Sequence, residues 1–183
     1  MNREEAYKLV KKNLKQKNLV KHCLAVEAVM RELARYFEED EEKWGLAGLL
    51  HDIDYTETFD EPEKHGLLGA EMLEKLGVEE EIVYAVKVHN HIHGLPRKNL
   101  IDKALYASDP ITGLIVAAAL IHPDKKLTSI DSDFVIKRYR EKSFARGANR
   151  DTIASCKEME IELEEFAALS LKAMQGIAEE LGL

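Results

Sequence analysis

Residues 48–55 read Gly-Leu-Leu-His-Asp-Ile-Asp-Tyr, and the change of character at His51 organises the rest of the chain. An apolar run closes on His51, Asp52 and Asp54 within four positions. A helix over about 41–52 accounts for the run, so its last turn carries an imidazole next to a carboxylate. Neighbouring helical residues diverge by roughly 100°. His51 and Asp52 therefore meet one ligand only where the helix end abuts it. Buried polarity of this kind needs a partner.

Working outward, the same signature recurs on other predicted helices. A stripe of Leu19, Cys23, Val26, Met30, Leu33 and Phe37 predicts a helix over 19–38, and His22 shares a face with Val26, Val29 and Leu33. His65 relates in the same way to Leu68, Met72 and Leu76, on a helix opened by Asp60-Glu61-Pro62 and stopped by Gly77. His89 continues the Ile82, Val86 stripe of a helix over 79–91. Asp109 follows Ile101 and Leu105 at steps of four on a helix over 99–121, with a break or kink expected at Pro110. Helices over 3–16, 131–141 and about 149–181 complete an all-α reading. Four prolines and ten glycines fall almost entirely between apolar periodic segments, and no stretch alternates long enough for a sheet. The 183 residues make one domain, with a long C-terminal helix packed on a bundle.

Five elements thus point a metal-competent group inward. Each has an ordinary reading of its own: a satisfied core histidine, a helix-end dipole pair at His51-Asp52, an N-cap before a first-turn proline at Asp109-Pro110. All five readings would have to hold together to remove the site. Imidazole with carboxylate suits Mn, Fe, Co, Ni or Zn, whereas Mg favours oxygen alone. The two oxygens of Asp52 can bridge two ions.

Bulk properties narrow the partners. A formal charge of −8 argues against wholesale nucleic-acid binding but not against a small anionic substrate. Cys23 and Cys156 have no CxxC spacing, which excludes a disulfide framework and a thiolate zinc site. The first sixteen residues carry charges every few positions and no apolar signal core, and the run Leu114 to Ile121 is less than half a membrane span. A cytoplasmic enzyme with no membrane partner is expected. Asn90 stands where HExxH needs glutamate, and no Walker, GxGxxG or GxSxG motif occurs. Lys142, Arg146 and Arg150 surround Gly147 in a compact basic loop, and Arg146 with Arg150 is the expected phosphate clamp.

His22, then His51-Asp52, then Asp109 resembles the H…HD…D signature of the HD-domain superfamily, over about residues 18–120. The resemblance implies a helical bundle, extended here by residues 125–183, and phosphohydrolase activity on nucleotides or other phosphate esters. It makes His22, His51, Asp52 and Asp109 ligands of one divalent ion. His65 and His89 fall where two-metal members place extra histidines, with Asp52 as the bridge. A metal-activated water would attack phosphorus, and Asp54 would serve as base or as a support for a ligand. Members that cleave cyclic dinucleotides read HDIGK; this chain has Asp54-Tyr55 in place of the last two residues, which weighs against that substrate class. The rival functions are a di-iron oxygenase of the same type and a non-catalytic metal- or nucleotide-binding module.

Overall fold

The contact between the two helices that pack most extensively turns on a glycine. Helix α2 (Lys17–Tyr36) packs most extensively on α3 (Glu41–Leu50). A Cβ at Gly48 would lie 2.8 Å from the Val26 carbonyl oxygen and 2.9 Å from the Glu27 backbone. Only hydrogen fits there, so the two backbones touch. That contact fixes the height at which α3 ends and delivers His51.

The computed structural model describes all of residues 1–183 and contains helices and turns only. Before α2 comes α1 (Arg3–Asn13), started by a capping box between Asn2 and Glu5. After α3 the chain makes the single turn α4 (Tyr55–Thr58), then the antiparallel pair α5 (Leu67–Lys75) and α6 (Glu80–Val88). A 3-10 turn at His91–His93 leads into α7 (Leu100–Ile121), which lies against α2, α6 and the later helices. Then follow α8 (Ser132–Arg140), α9 (Arg150–Ala154), α10 (Leu163–Gln175) and α11 (Ala178–Leu181). Forty-five buried apolar residues form one cluster, and it includes Ile153, Phe166, Leu171 and Met174. The segment beyond residue 125 therefore shares the core of the bundle. Fully burying a side chain such as Phe166 contributes about 1.5–3 kcal/mol.

Three boundaries differ from the periodicity. The helix expected over 149–181 is divided: a 3-10 stretch at Ser155–Met159 ends at Glu160, whose φ is +60°, and α10 starts anew at Leu163. No glycine or proline lies between 150 and 175 to mark that break. Helix α7 runs unbroken through Pro110, so Asp109 is no N-cap. Helix α5 begins at Leu67 rather than near Pro62, because Gly66 turns the chain with φ +85°. His65 is thus presented by a turn and not by the helical stripe that first singled it out.

Helix α7 is the one helix long and apolar enough to cross a membrane. Twelve of its residues are buried in the bundle, Asp102 among them.

Candidate metal centre

Six side chains converge at one end of the bundle, and helix ends bring most of them there. His51 is the C-cap of α3 and His89 the C-cap of α6. Both stand where the partial negative charge of a helix C-terminus favours a cation. His22 comes from the second turn of α2, Asp109 from the middle of α7, and His65 from the turn before α5.

The hydrogen bonds determine the tautomers. His51 Nδ1 lies 2.8 Å from the Gly48 carbonyl oxygen, and His89 Nδ1 lies 2.6 Å from that of Val86. A carbonyl only accepts, so each Nδ1 carries the proton. His65 Nδ1 donates to Asp54 Oδ1 at 2.9 Å. Thr112 gives its one proton to the Asp109 carbonyl oxygen, so its hydroxyl accepts from His22 Nδ1 at 3.3 Å. In the neutral form all four imidazoles are left with an Nε2 lone pair.

Those lone pairs meet. The Nε2 atoms of His22 and His51 are 3.2 Å apart, and those of His65 and His89 are 3.1 Å apart. Asp52 Oδ1 is 3.3 Å from Nε2 of His51, 3.3 Å from that of His65 and 3.7 Å from that of His89, while Oδ2 faces His22 at 3.6 Å. Asp109 Oδ1 reaches His22 Nε2 at 3.0 Å and His51 Nε2 at 3.9 Å. Facing lone pairs between two carboxylates repel unless a cation lies among them. His22, His51 and Asp109 form one group of donors within 4.8 Å of one another, and His51, Asp52 and His89 form a second. The residues fit one or two divalent ions with nitrogen and oxygen ligands.

Electrostatics say the same. Burial alone would raise the Asp52 carboxyl, but the imidazoles, His51 first, hold it well below the usual range. Burial likewise opposes ionisation of Asp109, and His22, which in its protonated form donates to it through Nε2, overrides burial and lowers it. His51, fully enclosed, is pushed down to about 4 by burial. Burial disfavours the His65 cation too, yet hydrogen bonds to Asp52 and Asp54 lift it to about 10. A proton on His65 stands in for a metal ion, and the same carboxylates attract either.

Of the two roles the sequence left open for Asp54, base or support for a ligand, the geometry fits the second. Asp54 is fully buried and accepts from His65 Nδ1 and from the backbone N–H groups of Gly66 and Gly69, both at 2.8 Å. No side of it is open to a water or a substrate, so its work is to fix the His65 ring, as outer carboxylates do for metal-bound histidines. Asn90 and His93 support the same turn: the Asn90 amide donates to the carbonyl oxygens of Pro62 and His65, and His93 Nε2 to that of His65.

The basic loop does face this centre, but not with its arginines. Gly147 and Asn149 line a cleft of about 450 Å³ together with His22, Asp52, His65 and Asp109. The Arg150 guanidinium donates to six backbone carbonyls between Arg138 and Ala148, tying the loop together, so it cannot clamp a phosphate. Arg146 is exposed and is not part of the cleft wall. Arg97 pairs with Glu158 and stacks on Tyr106, and Lys98 lies over Tyr84. No lysine or arginine lines the cleft. Sequence reasoning missed the neutral residues that do: Tyr55, packed edge-on against His65 at 5.4 Å, with Asn149 and Thr152. Their only signal was nearness to the dyad for Tyr55 and to Gly147 for the other two.

A helical bundle that gathers four imidazoles and two carboxylates at the ends of its helices defines a metal-binding protein of the all-α class. The chain belongs to the HD domain family, whose model matches residues 19–120. That family is a superfamily of metal-dependent phosphohydrolases. Among its relatives, the uncharacterized protein MJ0778 of Methanocaldococcus jannaschii is 33% identical over 140 residues, 72% of this chain and 80% of that protein. Ribonuclease Y of Lawsonia intracellularis is 32% identical over 103 residues, 56% of this chain and 20% of that enzyme. Ribonuclease Y of Desulfotalea psychrophila is 27% identical over 169 residues, 90% of this chain and 32% of that enzyme. The chain thus spans about a third or less of the ribonuclease Y relatives it matches.

Proposed function

We propose that the protein is a metal-dependent phosphohydrolase acting on a small phosphate ester or nucleotide. The observation that carries this reading is the convergence of four imidazole Nε2 atoms on two carboxylates in a cleft that no lysine or arginine lines. His22, His51, Asp52 and Asp109 would hold one ion, and His65 with His89 a second, Asp52 reaching both. Bound divalent ions supply the acidity that ionises water at neutral pH and the charge that neutralises a phosphoryl group.

The chain's own residues then divide the remaining work. Asp54 keeps His65 in the tautomer with Nε2 free. Gly48 and Val86 do the same for His51 and His89 through their carbonyl oxygens. The Tyr55 hydroxyl, at the cleft wall with no partner in the protein, is placed to donate to a phosphoryl oxygen. Pro110 and Leu19 close the wall with apolar surface.

The ribonuclease Y relatives bring RNA phosphodiesters into consideration. A cleft without lysine or arginine on an acidic protein favours a small ester over a polyanionic strand. A screen of nucleotides, simple phosphate esters and short RNA, each supplemented with Mn, Fe, Co, Ni or Zn, tests the proposal. Turnover of a small ester that chelation abolishes supports it; no turnover with any metal on any substrate overturns it.

A further inference from the structure

Charge is distributed unevenly along this chain. Residues 6–26 hold six lysines and no aspartate or glutamate, although the formal charge of the whole is −8. Five of those lysines are exposed. The sixth, Lys21, is half-buried in the wall of a pocket of about 430 Å³ between α2, α7 and α11.

Helical periodicity builds this pocket. Asn18, Lys21 and Ala25 follow one another on α2 at steps of three and four, and Thr112, Val116 and Leu120 on α7 at steps of four, so each helix turns one stripe to it. Leu181 and Leu183 supply a third wall. Most of the lining is thus apolar, and Leu120 is 49% exposed, a large apolar side chain left uncovered. The polar members are few. The Thr112 hydroxyl is committed to the Asp109 carbonyl oxygen and to His22 Nδ1. Lys21 Nζ donates to the Leu181 carbonyl oxygen at 2.7 Å but has no carboxylate partner, which leaves two of its three donors and its whole charge unanswered. The exposed Asn18 amide has no partner in the protein and stands one helical turn away.

Apolar walls with a few placed polar groups are the usual make-up of a small-molecule site of this size. Here the one lysine in the wall is a cation without a counter-ion. A neutral apolar ligand would leave that charge unmet, and a polyanion would leave the apolar walls unfilled. A carboxylate on an apolar chain satisfies both: one oxygen accepts from Lys21, the other from Asn18, and the chain lies against Val116, Leu120 and Leu181. We propose that this pocket is a second ligand site, apart from the metal ions, and that it takes a small amphipathic carboxylate of the medium-chain fatty-acid type. The site requires neither the metal nor the phosphohydrolase reading.

The test is calorimetric titration of the full chain, metal-loaded and chelated, with octanoate, with acetate (the head without the chain) and with 1-octanol (the chain without the charge). Octanoate should bind about tenfold or more tightly than either control, and equally well in the loaded and chelated protein. Lys21→Gln should weaken octanoate by about tenfold. Leu120→Glu, a change at a half-exposed position that sets a like charge beside the carboxylate, should weaken it by about fivefold and does not depend on the Lys21 contact with α11. Lys8→Gln removes an exposed lysine outside the pocket and should leave binding within about twofold of the wild type. No binding of octanoate overturns the site, as does acetate or 1-octanol binding as tightly. Binding that chelation abolishes places the carboxylate on the metal ions and overturns it too. Binding that Lys21→Gln and Leu120→Glu leave unchanged, or that Lys8→Gln weakens as much as they do, does the same.

Discussion

Helix α2 carries buried or half-buried charge on two flanks, and the flanks are finished differently. On one, Glu27 is 3% exposed and receives Arg3 at 2.6 and 3.0 Å and Arg31 at 3.0 Å. Arg31 continues to Glu42, and nearby Glu32 receives Arg35 and Lys172. Every carboxylate there has a cation supplied by the chain. On the other flank Asp52 and Asp109 have only imidazoles, whose Nδ1 protons are committed elsewhere and whose Nε2 atoms can face the carboxylates only with a proton or a metal ion between them. A buried carboxylate closed by arginine is part of the fold. One surrounded by free lone pairs leaves its balance to something from solution.

That contrast is open to attack by mutation. The largest effect should come from Asp52→Ala, which removes the carboxylate that faces both donor groups. Metal content and hydrolysis should both be lost, while far-UV circular dichroism stays helical, because the 45-residue core does not depend on the ion. Unfolding at room temperature would make the ion structural. Glu27→Ala should do the reverse, costing about 1–3 kcal/mol in a denaturant melt by removing the acceptor that Arg3 and Arg31 share, with metal content unchanged. Gly48→Ala tests the link between the flanks: the added methyl meets the α2 backbone, so stability should drop by about 1–3 kcal/mol. Metal affinity should fall with it, since the Gly48 carbonyl orients His51. Unchanged affinity would show that α3 shifts without disturbing the centre.

Smaller effects follow for pH and for the loop. In the metal-free protein the raised proton affinity of His65 stabilises the fold fully below pH of about 6.5. That contribution is lost as pH rises through about 10. The melting temperature of chelated protein should therefore decline across this window, whereas that of loaded protein should not; parallel curves would dissociate His65 from the ion. Smallest of all, Arg146→Ala should leave kinetics at the wild-type level, since its side chain stands outside the cleft wall.

The ligand cluster was legible in the sequence because each member interrupts an apolar run, and apolar periodicity survives small errors of boundary. His65 shows how far that tolerance extends: the stripe that marked it belongs to α5, yet that helix starts at Leu67 after the Gly66 cap and leaves His65 in the turn before it. Arg150 shows where sequence reasoning stops. Its charge and spacing suited a phosphate, but which carbonyls lie within reach depends on how residues 138–148 fold around it. The division of the C-terminal helix was illegible for a related reason, being marked by the left-handed Glu160 rather than by glycine or proline.

The central claim is that the open flank of α2 is completed by ions. Elemental analysis of protein reconstituted anaerobically with Fe or Mn, then desalted, tests it most directly. The account predicts close to two ions per chain, falling toward one in His65→Ala and toward none in Asp52→Ala, with Glu27→Ala matching the wild type. A wild-type value near zero would contradict the site itself, and a value near one that His65→Ala leaves unchanged would contradict its second half.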